Sequence, residues 1–412
     1  MRLALCCLLL SLTSSLCAQR VRVVPTELPT IQAAIDASAA FDAVLVMPGV
    51  YRERLVLGGR PISLRSVAGP VSTILHGDQL GSVLTIQRGA SRGTVLVEGF
   101  TITGGAHAQN AGGVHIDGAS PTLRNNWVRD NIGGSRGHGV SIVNSAGAVL
   151  IGNDISGNRS WAAGNGAGGG GGIGVSASAA VEIRANRISN NTVSRYSSGG
   201  GIYLFDAGAT QVVGNWIEGN QARLAGGGIA IHGSSEARIE NNVIVQNRVQ
   251  EPGHGGGVHW LILFGSRGPD LIGNTIVANQ AEVGSGVHAD GDDYRARIIN
   301  NLVIAGVGGS AIDCGDFSDL LPPIVQNNNA IGAAGAYTGL CENAGQLRSN
   351  LSAMPSFVPG TWQLAAGSVG IDAGDNRASR ERLDIAGAPR VTDGNGDQLR
   401  VVDIGAFERL EN

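Results

Sequence analysis

The feature that most constrains this chain is a phrase that recurs between about residues 97 and 331. It consists of an asparagine, any residue and a branched apolar residue, with a glycine cluster before the next apolar pair. The asparagines are Asn126, Asn153, Asn186, Asn215, Asn242, Asn274, Asn301 and Asn329, spaced 27, 33, 29, 27, 32, 27 and 28 residues apart. A near-constant period with tolerated insertions marks a solenoid, in which each unit buries its apolar face only against copies of itself.

One coil, residues 226–252, shows how. Gly226-Gly227-Gly228 turns, Ile229-Ala230-Ile231 alternates as a first strand, and Ala237-Arg238-Ile239-Glu240 reads as a second. Asn241-Asn242 bends the chain into a third, Val243-Ile244-Val245. Such short strands need stacked partners. Stacking predicts interior columns such as Ile155, Ile188, Ile217, Ile244, Ile276 and Val303. It also predicts amide ladders, one running from Asn126 to Asn329 and a second through Asn131, Asn158, Asn191, Asn220, Asn247 and Asn279. Side-chain amides donate and accept, so equal amides one rung apart bond along the stack. The expected fold class is all-β.

Residues 1–18 read as a secretory signal: Arg2, an apolar stretch from Leu3 to Leu16, and a small residue, Ala18, before Gln19. The stretch is too short for a membrane span, and no other long apolar run follows. The chain is therefore expected to be secreted or at the cell surface. Removal of the signal leaves two of the five cysteines, Cys314 and Cys341, 27 residues apart. One repeat step would stack one on the other at about 4.8 Å, within reach of a disulfide. All 29 basic residues are arginine, set against 33 acids. This balance excludes a typical nucleic-acid binder.

These phrases resemble those of the right-handed parallel β-helix, or pectin-lyase-like, superfamily. The opening is similar too: Pro29 to Ile35 fits a short capping helix, and Val44 to Glu53 a first strand and turn. The resemblance implies a right-handed parallel β-helix over residues 19–349, with the N-terminal helix covering an open sheet end. Residues 350–412 resemble the choice-of-anchor Q module, through Ile371-Asp372-Ala373-Gly374-Asp375, Gly387-Ala388-Pro389-Arg390 and Val402-Asp403-Ile404-Gly405-Ala406-Phe407-Glu408. That module implies export, often to a cell surface. The superfamily includes polysaccharide lyases, hydrolases and members without assigned chemistry, so the fold implies no activity.

Strand phase nominates a face. After each glycine cluster the first outward position runs His115, Ser141, Gly174, Tyr203, Ala230, His259, His288, Asp313. The next runs Asp117, Val143, Ser176, Phe205, His232, Leu261, Asp290, Gly315. Tyr203, Phe205, His232, His259, His288, Asp290 and Asp313 are thus expected to share one sheet face within about 20 Å. Aromatic planes with imidazoles and carboxylates suit an extended carbohydrate. His288 beside Asp313 forms a candidate acid–base pair, with Asp290 and Arg295 nearby. Gly137-His138-Gly139 resembles a polygalacturonase segment, but the partner segments are missing and it falls in the ordinary glycine-cluster phase. The acidic turn Asp290 to Asp293 could chelate calcium, and Asp393, Asn395 and Asp397 with Asp403 offer oxygen ligands in a pattern like the start of a calcium loop, although Ile404 stands where that loop has its bidentate acid. Trp127 and Trp216 face outward on third strands. Insertions at 161–172 and 261–270 are expected as loops bordering the face.

The expectation for function is a monomeric, exported protein that binds a polysaccharide or cell-surface glycan on a side face. The alternatives are a polysaccharide lyase or glycoside hydrolase, and a structural surface protein.

Overall fold

The computed structural model describes residues 19–410, apart from 88, 90, 91, 135, 162–168, 195, 251, 264, 318, 319 and 348. The signal-like segment and most of the 161–172 insertion lie outside the described residues.

Three parallel sheets form the sides of a solenoid. The described first strands make an 11-stranded sheet, the second strands a 12-stranded sheet and the third strands another 11-stranded sheet, each ordered along the chain. The period seen from residue 97 understates the stack. Val21–Val24 already pairs with Ala43–Val46, and the last rung of the first sheet is Gly335–Gly339. Some coils add a two-residue fourth strand, such as Ile132–Gly133 and Gln221–Ala222, which sequence patterning did not reveal. The one α-helix among the described residues, Ile31–Ala37, closes the N-terminal end. The Thr30 side chain caps it by accepting from the Ala33 amide, and Ile31, Ala34 and Ile35 are buried beneath it. No described helix is long and apolar enough to cross a membrane.

The predicted columns are one rung apart. Ile155 pairs with Ile188, Ile188 with Ile217, Ile217 with Ile244 and Ile244 with Ile276. Where one rung carries the bulk of Trp260, the next carries Ala289, so the interior stays filled without overpacking.

The amide ladder runs through the bend between second and third strands. Each Asn Nδ2 donates to the next rung's Oδ1 and to a carbonyl of the rung below, as Asn215 does to Asn242 (3.0 Å) and Ile183 (2.8 Å). Each Oδ1 also accepts the backbone N–H of the ladder residue below, as Asn242 does from Asn215. One expectation needs correction: Asn301 is followed by Asn328, not Asn329, and the ladder ends at Asn350. Asn329 bonds to Ala353. The register is fixed one residue earlier, where the chain turns in the left-handed region at Asn125, Gly152, Ala185, Gly214, Asn241, Gly273, Asn300 and Asn327. Asparagine and glycine tolerate that conformation best. Three consecutive asparagines, 327–329, hid the step from the sequence. The second ladder stands as expected.

Cys314 and Cys341 are bonded, with Cα atoms 5.3 Å apart, but not as vertical neighbours. The rung partner of Cys314 is Gly339. Cys341 follows in the turn that opens the short 3₁₀ helix Glu342–Gln346, so the bond ties the final turn to the stack.

The chain after residue 350 folds back along the corner between second and third strands. Asn300 exchanges two hydrogen bonds with the backbone of Asp375, and the Asn241 amide reaches the Leu383 carbonyl. Glu240 accepts from the amides of Arg380 and Glu381. Ala406 and Phe407 cover Val243, Val245 and Val277, while Leu364 and Ile404 cover Leu302. Third strands that read as apolar throughout are thus buried on both faces. Trp216 packs against the first of these clusters and donates to Glu218. At the tail's centre, Arg390 and Glu408 pair at 2.9 Å, both fully buried. Burial raises Asp403 to about 6, with the Asp372 carboxylate adding to the shift, and Glu408 to about 9, with Asp403 and Asp384 adding to it. Folded-state carboxyl pKa values above the unfolded ones mean the native state binds more protons. Their stabilising share is complete below the unfolded values and falls as pH rises through the folded ones. Thermal unfolding of Glu408→Gln between pH 5 and 9 should therefore fall less steeply with pH than that of wild type. Parallel curves would contradict the assignment.

Candidate functional site

The first-strand sheet brings the predicted residues into register. His115 pairs with Ser141, Ser141 with Gly174, Gly174 with Tyr203, Tyr203 with Ala230, Ala230 with His259, His259 with His288, and His288 with Asp313. The neighbouring row runs through Phe205, His232, Leu261 and Asp290.

The two rows differ in access, which phase alone could not show. Tyr203, His259 and His288 are only 8%, 7% and 5% exposed. The turn before each first strand doubles back over the first outward position: Gly199 lies against Tyr203, Gly255 against His259 and Gly284 against His288. Those turns stack by their own parallel bridges, Ala225 to His254 and His254 to Val283. The second row, by contrast, is half-buried and faces outward.

His254, exposed on this turn layer, was not foreseen because it lies outside strand phase. Its ring centroid is 4.7 Å from that of His288. Together with His232 it makes a cluster of four imidazoles, His232 meeting His259 edge-on at 5.3 Å and His259 stacking on His288 at 5.2 Å. The Tyr203 hydroxyl lies 3.3 Å from His232 Nδ1. Burial depresses the His259 and His288 pKa values and brings His232 down to about 4; neighbouring imidazoles add to the shift of His259, and His254 to that of His288. For His288 the carboxylates of Asp313 and Asp290 act in the opposite direction but do not overcome it.

Neutral rings fix the proton positions. His288 Nε2 lies 3.4 Å from Asp313 Oδ2, so it carries the hydrogen. His288 Nδ1 is then a lone pair, and at 3.2 Å it accepts from His259 Nδ1–H. Asp313 is held in turn by the Thr338 hydroxyl at 2.5 Å. His288 thus has Nδ1 bonded within the protein and Nε2 turned toward Asp313.

The other candidates do not converge on this cluster. Asp290 accepts from the amides of Gly291 and Phe317, Asp293 takes the indole N–H of buried Trp260, and Arg295 donates to the Ser266 carbonyl. His138 is buried within the glycine-cluster layer with neither ring nitrogen bonded. Arg136 places its guanidinium 4.2 Å from the Phe205 ring centroid, and Arg129 sits 5.0 Å from that of Trp127. In the tail, Asp393, Asn395 and Asp397 accept from amides of their own turn. Asp403 points inward to the amides of Asp372 and Arg409. These four do not form one ligand set, and among the described residues no three His, Cys, Asp or Glu side chains assemble as a metal site.

With this geometry in place, the family is decided by a match to the right-handed β-helix region over residues 86–303. The chain belongs to the right-handed β-helix family. Among solved structures it is similar to pectate lyase Pel9A, at 16% identity and a TM-score of 0.51 over 92% of this chain and 91% of that one. It is also similar to XylC in complex with xylose, at 12% identity and a TM-score of 0.51 over 93% and 95%. At these identities the likeness extends to the fold. A search of curated proteins found no significant match.

The tautomers are directly measurable. Histidine ¹⁵N spectra should show a protonated Nδ1 for His259 and a protonated Nε2 for His288, with His259 neutral well below pH 6.5 and His288 neutral at that pH. The reverse assignment, or an imidazolium at His288 near pH 6.5, would contradict this geometry.

Proposed function

We propose that this chain is an exported β-helix protein that binds an extended carbohydrate along the outer row of its first-strand sheet. The observation that carries the reading is the half-buried ridge Phe205, His232, Leu261, Asp290, set one rung apart on a rigid parallel sheet. The Arg136 guanidinium lies over the Phe205 ring, so the two together present a flat platform with donors on it, and Asp290 supplies a carboxylate that accepts from hydroxyls. The inner row of Tyr203, His259 and His288 acts as a support that sets the height and rigidity of this ridge. The neighbours in fold, a pectate lyase and a protein in complex with xylose, favour a glycan as the ligand class.

Binding without cleavage is favoured over a lyase or hydrolase reading, because His288 is buried with Nδ1 bonded to His259 and Nε2 turned to Asp313, and Arg295 is committed elsewhere. The Cys314–Cys341 bond and the signal-like start support export. The tail's resemblance to the choice-of-anchor Q module supports a place at the cell surface.

Electrophoresis through gels containing individual polysaccharides tests this. At least one should retard wild type without new reducing or unsaturated ends appearing. Phe205→Ala should weaken the retardation about tenfold, equivalent to about 1.4 kcal/mol. Undiminished retardation in Phe205→Ala, or cleavage, would overturn the reading.

A further inference from the structure

Toward the N-terminal end of the same sheet, a cavity of about 440 Å³ opens between the first strands and the preceding turns. Its polar lining includes Arg54, Thr85, Gln87, His107, Asn110 and His115. Thr85 and His115 are consecutive rungs of the inner row. His115 lies three rungs before Tyr203, about 14 Å away, so the cavity is separate from the Phe205 ridge.

Three observations give it a sign. Arg54 NH1 donates to the Leu80 carbonyl at 3.1 Å, and among the described residues no carboxylate pairs with this guanidinium. Its sequence neighbour Glu53 is committed to the amides that open the capping helix. Gly81 makes room, since a Cβ there would stand 3.0 Å from Arg54 NH1. His107 Nδ1 accepts from the amides of Gln109 and Asn110, so its hydrogen resides on Nε2 as a donor. His115 lines the cavity from the sheet, with its Nδ1 buried and without a partner. Asp117, the acid whose charge acts on His115, is engaged by the Asn144 amide at 3.0 Å.

We propose that this cavity is an oxyanion site, taking a carboxylate or sulfate group between the Arg54 guanidinium and the His107 Nε2–H, with His115 closing the contact from the sheet floor. A planar fork of donors matches such groups in geometry as well as charge. The Gln87 and Asn110 amides and the Thr85 hydroxyl line the space around it, so the group is best carried on a hydroxylated body such as a sugar. The site stands independently of the Phe205 ridge.

The test follows the His107 and His115 ring protons by NMR during titration with glucuronate, glucose 6-sulfate and neutral glucose at fixed ionic strength. Saturable shifts with one or both acids and none with glucose are expected, and the acid that binds tells carboxylate from sulfate. Arg54→Gln, an exposed position, should weaken the response at least tenfold. Phe205→Ala should leave it unchanged, which separates this site from the ridge. No response to either acid, an equal response to glucose, or an undiminished response in Arg54→Gln would overturn the proposal.

Discussion

Hydrogen bonding from one coil to the next through the asparagine ladders is the constraint on which everything else in this molecule rests. A parallel solenoid must turn three times per coil, and each turn exposes backbone groups that strands would otherwise pair. The ladder amide at the bend between second and third strands satisfies them in both directions, as the bonds of Asn215 to Ile183, Asn242 and Asn186 show. Because each amide serves two rungs, a shift of one residue would orphan several buried groups at about 1–3 kcal/mol each. Register is therefore tightly specified, and the outer rows inherit it.

That inheritance explains how far the sequence could be read. Period, strand phase and the rung partners of His259, His288 and Asp313 followed from spacing, because a two-residue alternation leaves no freedom once the register is set. The Cys314–Cys341 bond was also legible, although for an incomplete reason: the repeat length matched, but Cys341 lies in the closing turn beyond the paired strand. The ladder step to Asn328 was hidden by three adjacent asparagines. What decided it was the left-handed bend at Asn327, a backbone property that the sequence does not print.

The candidate site was legible in position but not in access. Strand phase correctly placed Tyr203, His259 and His288 outward from the core, yet the turns holding Gly199, Gly255 and Gly284 fold over them. Only glycine permits that approach, so the glycine clusters that looked like simple punctuation also roof the inner row. His254 and Arg136 reach the site from those turns and carried no periodic signal. The tail likewise read as a separate module, whereas its apolar residues complete the burial of third strands that have no polar face.

The most direct test of this account is the urea unfolding of Asn215→Ala, read together with hydrogen exchange at the Asn186 backbone amide, which donates to the Asn215 side chain. The account predicts a loss of at least about 2 kcal/mol and deprotection of the Asn186 amide along with the neighbouring bends. A variant as stable as wild type, with Asn186 still protected, would show that the ladder does not hold the coils in register.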